Sequence, residues 1–342
     1  MFEGIRIYQL VDSRSYGGIE SHILNLSKWL KRNNLNSEVV FLRDYGAHPL
    51  KQELDRASLR YRSLNNSFQL VSLLKESPSL LCTHGYKAGI IGRLAALSCK
   101  RPVISTFHSG DPGKGRVKLY SLIDRYSAFL CDALISVSHQ IAEEIPESTT
   151  IANFVPQLPM LPERGKAIAF VGRLSEEKDP ISFAKTTQTI DAPCHVYGDG
   201  PLYNTLQDQY PHLTLFGHVE MRDYWKDIGL LCITSRFEGL PLVALEAMIR
   251  GIPVLSFAIG GLPDLIKDSE NGWIIQNRDE DLFNKAICHW LALPATAKAS
   301  LSISAHHHAQ KHYSDESVCP QILSIYENAL AARCPQNSLA KR

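Results

Sequence analysis

SRFEGLPLVALEAMIRGIPVLSF, residues 235–257, carries three structural signals in a row. It follows GLLCITS (229–235), a short apolar run that reads as a buried strand, and it ends in a second such run, IPVLSF (252–257). Between them, apolar residues fall at helical spacing from Pro241 to Gly251, which gives strand, loop, helix, strand. Proline suits the first helical position, where its missing N–H is no loss. The N-cap is then Leu240 or Gly239, and neither has a side-chain oxygen to satisfy the amides of the first turn. Such a helix start is suited to an external anion. Glu238 stands just before the helix and Glu246 inside it.

The same alternation runs outward from this stretch. IRIYQLV (5–11), SEVVFL (37–42), SLLCTH (79–84), PVISTF (102–107) and ALISVS (133–138) are strand candidates, with helical spacing over 19–33, 86–98 and 116–131. The pattern restarts at AIAFVG (167–172) and continues through PCHVYG (193–198), LTLFG (213–217), LLCIT (230–234) and PVLSF (253–257). Strands alternating with helices imply an α/β chain with parallel sheets covered on both faces. Two such series predict two doubly wound domains, 1–152 and 167–314, joined by a proline-bearing linker at 153–166. A last helix over about 315–333 is expected to pack back on the first domain.

Composition narrows the class. With 342 residues, 44% apolar and 21% charged, the chain has ample material for two cores. A net charge of +1 gives no ground for nucleic-acid binding. Residues 1–150 hold 19 Lys and Arg against 14 Asp and Glu, and the remainder 17 against 21, which reads either as a first half suited to an anionic partner or as uneven solvated surface charge. The eight cysteines have no paired spacing and several sit in apolar runs, which fits a reducing compartment. MFEGIRIYQLV lacks the basic region and cleavage site of a leader, and no apolar run approaches the ~20 residues of a membrane span. The expected location is cytoplasmic, with peripheral contact on the inner face of the cell membrane left open.

Ligands of open α/β sheets bind at the carboxyl ends of the strands. At those points stand Gly17-Gly18, the loop GRLSEEKDP with Arg173 and Lys178, GDGP (198–201), SRFEGLP, and AIGGLPD (258–264). Asp179 before Pro180 reads as an N-cap. Glycine turns, helix starts and two cations suit a phosphate-bearing ligand, a nucleotide above all. There is no GxGxxG after the first strand and no HExxH, and GDPGKG (110–115) has the wrong spacing for a phosphate loop. HHH (306–308) with His312 lacks a companion carboxylate and reads as a solvated helix face. The acidic run DED (279–281) reads as a helix start favoured by the dipole, so no metal ligand is expected.

In order, FVGRL with SEEKD, GDGP, FGHV, SRFEGLPLVALEAMIRGIPVLSFAIGGLPDLI and NGWII resemble the donor-binding domain of glycosyltransferase family 4. The pair Glu238 and Glu246 matches that family's E-x7-E motif. The GG loop, THG (83–85) and TFH (106–108) resemble its acceptor domain more loosely. The resemblance implies the GT-B fold: two Rossmann-like domains facing across a cleft, with a C-terminal crossover helix. It implies a retaining, metal-independent hexosyltransferase that uses a UDP- or GDP-type nucleotide-diphosphate sugar and no cofactor. Glu238 would accept from the donor sugar hydroxyls, Glu246 from the ribose, and Arg173 and Lys178 would neutralise the diphosphate. Gly17, Gly18, Gly172, Gly198, His218, Val219, Gly239, Leu240 and Leu242 would complete the donor contacts, with base choice near Gly217–Val219.

On the same resemblance His108 would contact the transferred sugar. His84, Lys114 and Arg116 are acceptor candidates. The acceptor is expected to be a glycan or polyprenyl-diphosphate-linked sugar of surface polysaccharide synthesis. HSGDPGKGRVKLYSLIDRYSAFL (108–130) adds a basic start and an apolar stripe. It reads either as a helix meeting anionic lipid or as an ordinary helix covering the sheet. Two other functions stay open: a GT-B sugar-nucleotide isomerase, and a non-catalytic subunit of a polysaccharide assembly complex. The retained Glu238, Glu246, Arg173 and Lys178 weigh against the latter.

Overall fold

The structure, a computed structural model, describes residues 2–108, 115–162 and 165–333. The chain divides into two compact units, residues 1–154 with 315–342, and residues 155–314.

The first unit runs β1 (Arg6–Val11), α1 (Gly18–Arg32), β2 (Ser37–Phe41), α2 (Pro49–Arg56), β3 (Tyr61–Ser63), α3 (Ser67–Glu76), β4 (Ser79–His84), α4 (Tyr86–Cys99), β5 (Val103–Phe107), α5 (Arg116–Tyr126), β6 (Ala133–Ser136), α6 (His139–Glu144) and β7 (Thr149–Thr150). Its strands are all parallel in the order β3-β2-β1-β4-β5-β6-β7, so the winding reverses between β1 and β4. The second unit runs β8 (Ala167–Val171), α7 (Pro180–Thr186), β9 (Cys194–Tyr197), α8 (Tyr203–Gln209), β10 (Leu213–Gly217), β11 (Ile228–Ile233), α9 (Leu242–Met248), β12 (Val254–Phe257), α10 (Leu262–Leu265), β13 (Gly272–Ile275), α11 (Glu280–Ala292) and α12 (Ala295–Tyr313). Its parallel order β10-β9-β8-β11-β12-β13 reverses between β8 and β11. Each reversal opens a crevice at the strand ends, and the site loops emerge there.

The final helix, α13 (Asp315–Arg333), completes the first unit. Val318, Cys319, Ile322, Tyr326, Ala329 and Leu330 recur at helical spacing and are buried with Leu26, Trp29 and Leu30 of α1. Each large apolar side chain so buried contributes about 1.5–3 kcal/mol. Its first turn is fixed by Arg32, which reaches Asp315 at 2.5 Å and Glu316 at 3.1 Å.

Residues 153–162 are not a loose linker. Asn153, Phe154 and Val155 are buried. The Val155 amide donates to Tyr313 O and that of Leu161 to Arg250 O. The passage between units therefore falls at the buried Phe154–Val155, while residues 156–162, with the three prolines, are half-buried or exposed. The deciding helix also starts later than its proline suggests. Pro241 is the N-cap, with ψ at 125°, and α9 begins at Leu242. No side chain caps it. In contrast Asp279 of the DED run accepts from the Leu282 amide at 2.9 Å and caps α11.

Of the two readings of 108–130, the helix that covers the sheet is the one that fails: Val117, Leu119, Leu122, Ile123, Tyr126 and the following Phe129 are exposed. What α5 buries is polar: Asp124 pairs at 2.9 Å with Arg93 of α4, whose side chain is 1% exposed. Arg93 also donates to Asp124 O and the hydroxyls of Ser127 and Ser105. A Cβ on Gly89 would lie 2.1 Å from the Asp124 carboxylate, so only glycine admits this approach. Burial pushes the Asp124 carboxyl up to about 6 against the pull of Arg93. Removing one partner of such a pair costs about 3–5 kcal/mol, because the other is left buried and unpaired.

The histidine run on α12 is also less solvated than expected. His306 Nδ1 bonds Ile249 O at 2.6 Å, and His308 is half-buried against His312 and Tyr313, with burial first among the causes that lower its pKa to about 4. Seven cysteines among the described residues are all free. Among the described residues, no helix is long and apolar enough to cross a membrane.

Candidate functional site

In the second unit the loops after β8 and β11 lie at the reversal of the sheet, and they are stitched together by one carboxylate. Asp179 caps α7 by accepting from the Ser182 amide at 3.3 Å, with Pro180 in the first turn. Its other oxygen takes Arg278 at 2.8 Å and Arg236 at 3.0 Å. Arg278 in turn donates to the carbonyls of Thr234 and Ser235 and lies 4.6 Å from the Phe257 ring centroid. Thr234 Oγ1 donates to Asp179 O at 2.8 Å, and the Arg236 amide to Glu177 O at 2.7 Å. Burial lowers the pKa of the Arg278 guanidinium, an effect Asp179 opposes.

This stitching brings Lys178 to Glu238: Lys178 Nζ donates to Glu238 Oε1 at 2.7 Å, and Ser235 Oγ donates to the same oxygen at 2.6 Å. The Glu238 side chain is 8% exposed. Behind it, Gly260 has φ of +54°, and a Cβ there would lie 2.3 Å from Gly239 O. The Gly261 amide donates to that carbonyl at 2.5 Å, so the AIGG turn buttresses the glutamate loop.

A second group of glycines closes the ends of β8, β9 and β10. The Gly172 amide donates to Tyr197 O at 2.9 Å and that of Gly198 to Gly217 O at 2.8 Å. Gly198 lies so close to Gly172 that a Cβ would sit 1.9 Å from its carbonyl oxygen. His218 and Arg173 are exposed, and Val219 is half-buried. Leu240 and Leu242 are buried side chains, so only their backbone is on offer to a ligand. Glu246 is half-buried on α9, and burial pushes its carboxyl up to about 6 despite Arg250. Thus the structure joins Lys178 to Glu238 directly, and groups Gly172 with Gly198.

The first unit holds a different cluster. His84 ends β4, His108 follows β5, and β1 lies beside β4. Gln9 donates through Nε2 to Tyr326 Oη at 3.4 Å, which turns its Oε1 toward His84 Nε2 at 2.7 Å. His84 Nδ1 is 3.0 Å from His108 Nε2. With His84 protonated on Nε2, its Nδ1 accepts from His108, and His108 Nδ1 carries a lone pair. His22 of α1 packs edge-on against His108 at 4.7 Å and bonds Asn153 Oδ1 through Nδ1 at 3.2 Å. Burial lowers the pKa of His22 to about 4 and those of His84 and His108 well below the usual range, so all three are neutral at pH 7.

Gly17 and Gly18 stand at the start of α1, where the Gly17 amide donates to Glu20 Oε2 at 2.9 Å. Lys114 lies outside the described residues, and only the backbone of Arg116 is described. Sequence reasoning missed Arg278, His22 and Gln9. A glutamine inside the apolar strand RIYQLV was a visible signal; Arg278 and His22 had none locally. It also missed a recess near the ends of β1 and β2 lined by Asp12, Arg43, Tyr45, Asn66 and Lys87, where Lys87 pairs with Asp12 at 3.0 Å.

Comparison with known proteins agrees with this division. Residues 16–153 match the family model described as Glycosyltransferase Family 4, and residues 165–292 that described as Glycosyl transferases group 1. The O-antigen biosynthesis glycosyltransferase WbnH of Escherichia coli is 27% identical over 241 residues, 65% of this chain and 71% of that one. An Escherichia coli UDP-Gal:alpha-D-GlcNAc-diphosphoundecaprenol alpha-1,3-galactosyltransferase is 27% identical over 269 residues, 66% of this chain and 69% of that one. In structure, Anabaena Alr3699/HepE in complex with UDP-glucose superposes with a TM-score of 0.80 over 94% of this chain and 99% of that one, at 17% identity.

The glycine packing makes a graded prediction. Gly198→Ala should destabilise the second unit by about 1–3 kcal/mol, as overpacking does. Gly217→Ala, with φ of +68° but nothing within 4 Å of its Cβ, should cost only about 1–2 kcal/mol. Urea unfolding of the two variants checks the order; Gly217→Ala as the more damaging change would contradict it.

Proposed function

The chain belongs to the family 4 glycosyltransferases and has the GT-B fold, and we propose that it moves a hexose with retention of configuration from a nucleotide-diphosphate sugar, without a metal cofactor. The observation that carries this reading is the Lys178–Glu238 pair at the reversal of the second sheet. Lys178 and Arg173 meet the diphosphate and stabilise the charge that grows on the leaving oxygen. Because Lys178 and Ser235 both hold Glu238 Oε1, the carboxylate is a restrained hydroxyl acceptor rather than a nucleophile, with Oε2 left to the donor sugar. Glu246 accepts from the ribose hydroxyls, and backbone amides around Gly239 and Leu242 donate to the diphosphate or sugar. Gly172, Gly198, His218 and Val219 line the nucleoside.

The proposed step is a front-face substitution. The bond from the sugar's anomeric carbon to the phosphate oxygen breaks as the bond to the acceptor oxygen forms. The acceptor's hydroxyl proton passes to the departing diphosphate. The first unit takes the acceptor, with the lone pair of His108 Nδ1 offered to a sugar hydroxyl and the cations Arg43 and Lys87 to acceptor phosphate. A polyprenyl-diphosphate-linked glycan of surface polysaccharide synthesis, and UDP as the nucleotide, are favoured by the names of the relatives, which include a UDP-Gal-dependent enzyme acting on a diphosphoundecaprenol substrate. The exposed apolar face of α5, with Lys118 beside it, is the proposed point of contact with the membrane that carries such an acceptor.

Transfer from UDP-hexoses to a synthetic GlcNAc-diphosphate lipid, with the product's anomeric configuration read by NMR, tests the reaction. An α-linked product from an α-linked donor, formed in EDTA and slowed about 100-fold or more by Glu238→Gln, is expected. A β-linked product would refute retention, and conversion of donor with no acceptor present would favour an isomerase. Co-sedimentation with vesicles containing anionic lipid tests the membrane contact. Wild type should sediment and Leu119→Asp/Leu122→Asp should not; wild type left in the supernatant would reject that contact.

A further inference from the structure

Three histidines in the first unit converge in a way that hydrogen bonding alone leaves underused. One ring nitrogen from each of His22, His84 and His108 lies within 4.8 Å of the other two. The His84 Nδ1 to His108 Nε2 separation is 3.0 Å. Two nitrogens on a tetrahedral zinc ion, each bonded at about 2.0–2.1 Å, stand about 3.3 Å apart. The pair is therefore already near ligand spacing, and a His22 ring nitrogen lies within 4.8 Å of both. His22 and His84 come from α1 and β4, and His108 directly follows β5, so rigid elements set the approach.

Their outer contacts are those that orient metal-bound imidazoles. His84 Nε2 faces Gln9 Oε1 at 2.7 Å and His22 Nδ1 faces Asn153 Oδ1 at 3.2 Å. Each amide oxygen accepts the ring N–H on that side, which leaves the lone pair on the other nitrogen. The Gln9 amide is itself oriented by Tyr326. His108 is the least buried of the three.

From this geometry we propose that His22, His84 and His108 form a binding site for a divalent first-row transition-metal ion of the zinc class. The ion takes the lone pairs of His22 and His84 and replaces the proton that His108 Nε2 shares with His84. That proton moves to His108 Nδ1, so the ring stays neutral and no proton is released. Three neutral imidazoles favour zinc, cobalt, nickel or copper over magnesium or calcium, which prefer oxygen. Water completes the tetrahedron. The site is separate from the Lys178–Glu238 pair; with the ion bound, His108 Nδ1 donates to a sugar hydroxyl instead of accepting from it, and the existence of the site does not rest on that role of His108.

The test is titration of the untagged, chelator-treated full chain with Co²⁺, followed by visible absorption, and then displacement by Zn²⁺. One equivalent of cobalt with a tetrahedral absorption band is expected, displaced by an equal amount of zinc. His22→Gln and His108→Gln should each weaken binding about tenfold or more. His308→Gln/His312→Gln, on the competing histidine run of α12, should leave binding unchanged. His108 is the least buried of the three, so its variant decides the matter if His22→Gln fails to fold. Absence of any band at millimolar Co²⁺ would overturn the proposal. So would binding that survives His108→Gln and is lost in the α12 variant.

Discussion

The second unit of this protein depends on where one carboxylate stands. Asp179 caps α7 with one oxygen and gathers Arg236 and Arg278 on the other. Its φ of +47° is a strained setting for a residue other than glycine, and three ligands to one side chain hold it there. Through Arg278 the same group fixes the carbonyls that end β11. Lys178, one residue earlier, is thereby aimed at Glu238 across a distance of 60 residues in sequence. The arrangement separates tasks: Asp179 holds Arg236 and Arg278, and Lys178 pairs with Glu238 alone among the described residues.

The first unit uses hydrogen-bond polarity where the second uses charge. Tyr326 on α13 receives Gln9 Nε2, Gln9 Oε1 faces His84 Nε2, and His84 Nδ1 faces His108 Nε2, so one choice of tautomer propagates along the row. A buried row of neutral groups can do this only if every donor meets an acceptor, because an unmatched polar atom there costs about 1–3 kcal/mol. The C-terminal helix is thus more than a cover for α1: it supplies the hydroxyl at the head of the row. That Asp315 and Phe154 both fall in the first unit follows from this packing.

Much of this was legible in the sequence, for a physical reason. Parallel strands buried on both faces are short continuous apolar runs, and β4 and β10 occupy the residues their runs span. The order of the donor loops was legible too, because glycine is required where Gly198 meets Gly172 O and where Gly260 meets Gly239 O. The elements from α2 to α3 were not, since β3 is three half-exposed residues and the helices around it lack a long stripe. The apolar stripe of α5 was visible, but its direction was not: an Arg93–Asp124 pair inside and leucines outside inverts the usual rule, and only the partner helix reveals it. Arg278 and Asp179 stand 99 residues apart, and His22 is one histidine in an ordinary amphipathic helix. Such contacts are made by topology and carry no local signature.

Lys178, held beside Glu238, is proposed to form a diphosphate site that works without metal. Calorimetric titration of wild type and Lys178→Met with UDP, in EDTA, puts this to the test. Wild type should bind in the absence of metal, and the variant should lose about tenfold or more, or at least 1.4 kcal/mol. Equal affinity in the two proteins, or wild-type binding that appears only when Mg²⁺ is added, would contradict it.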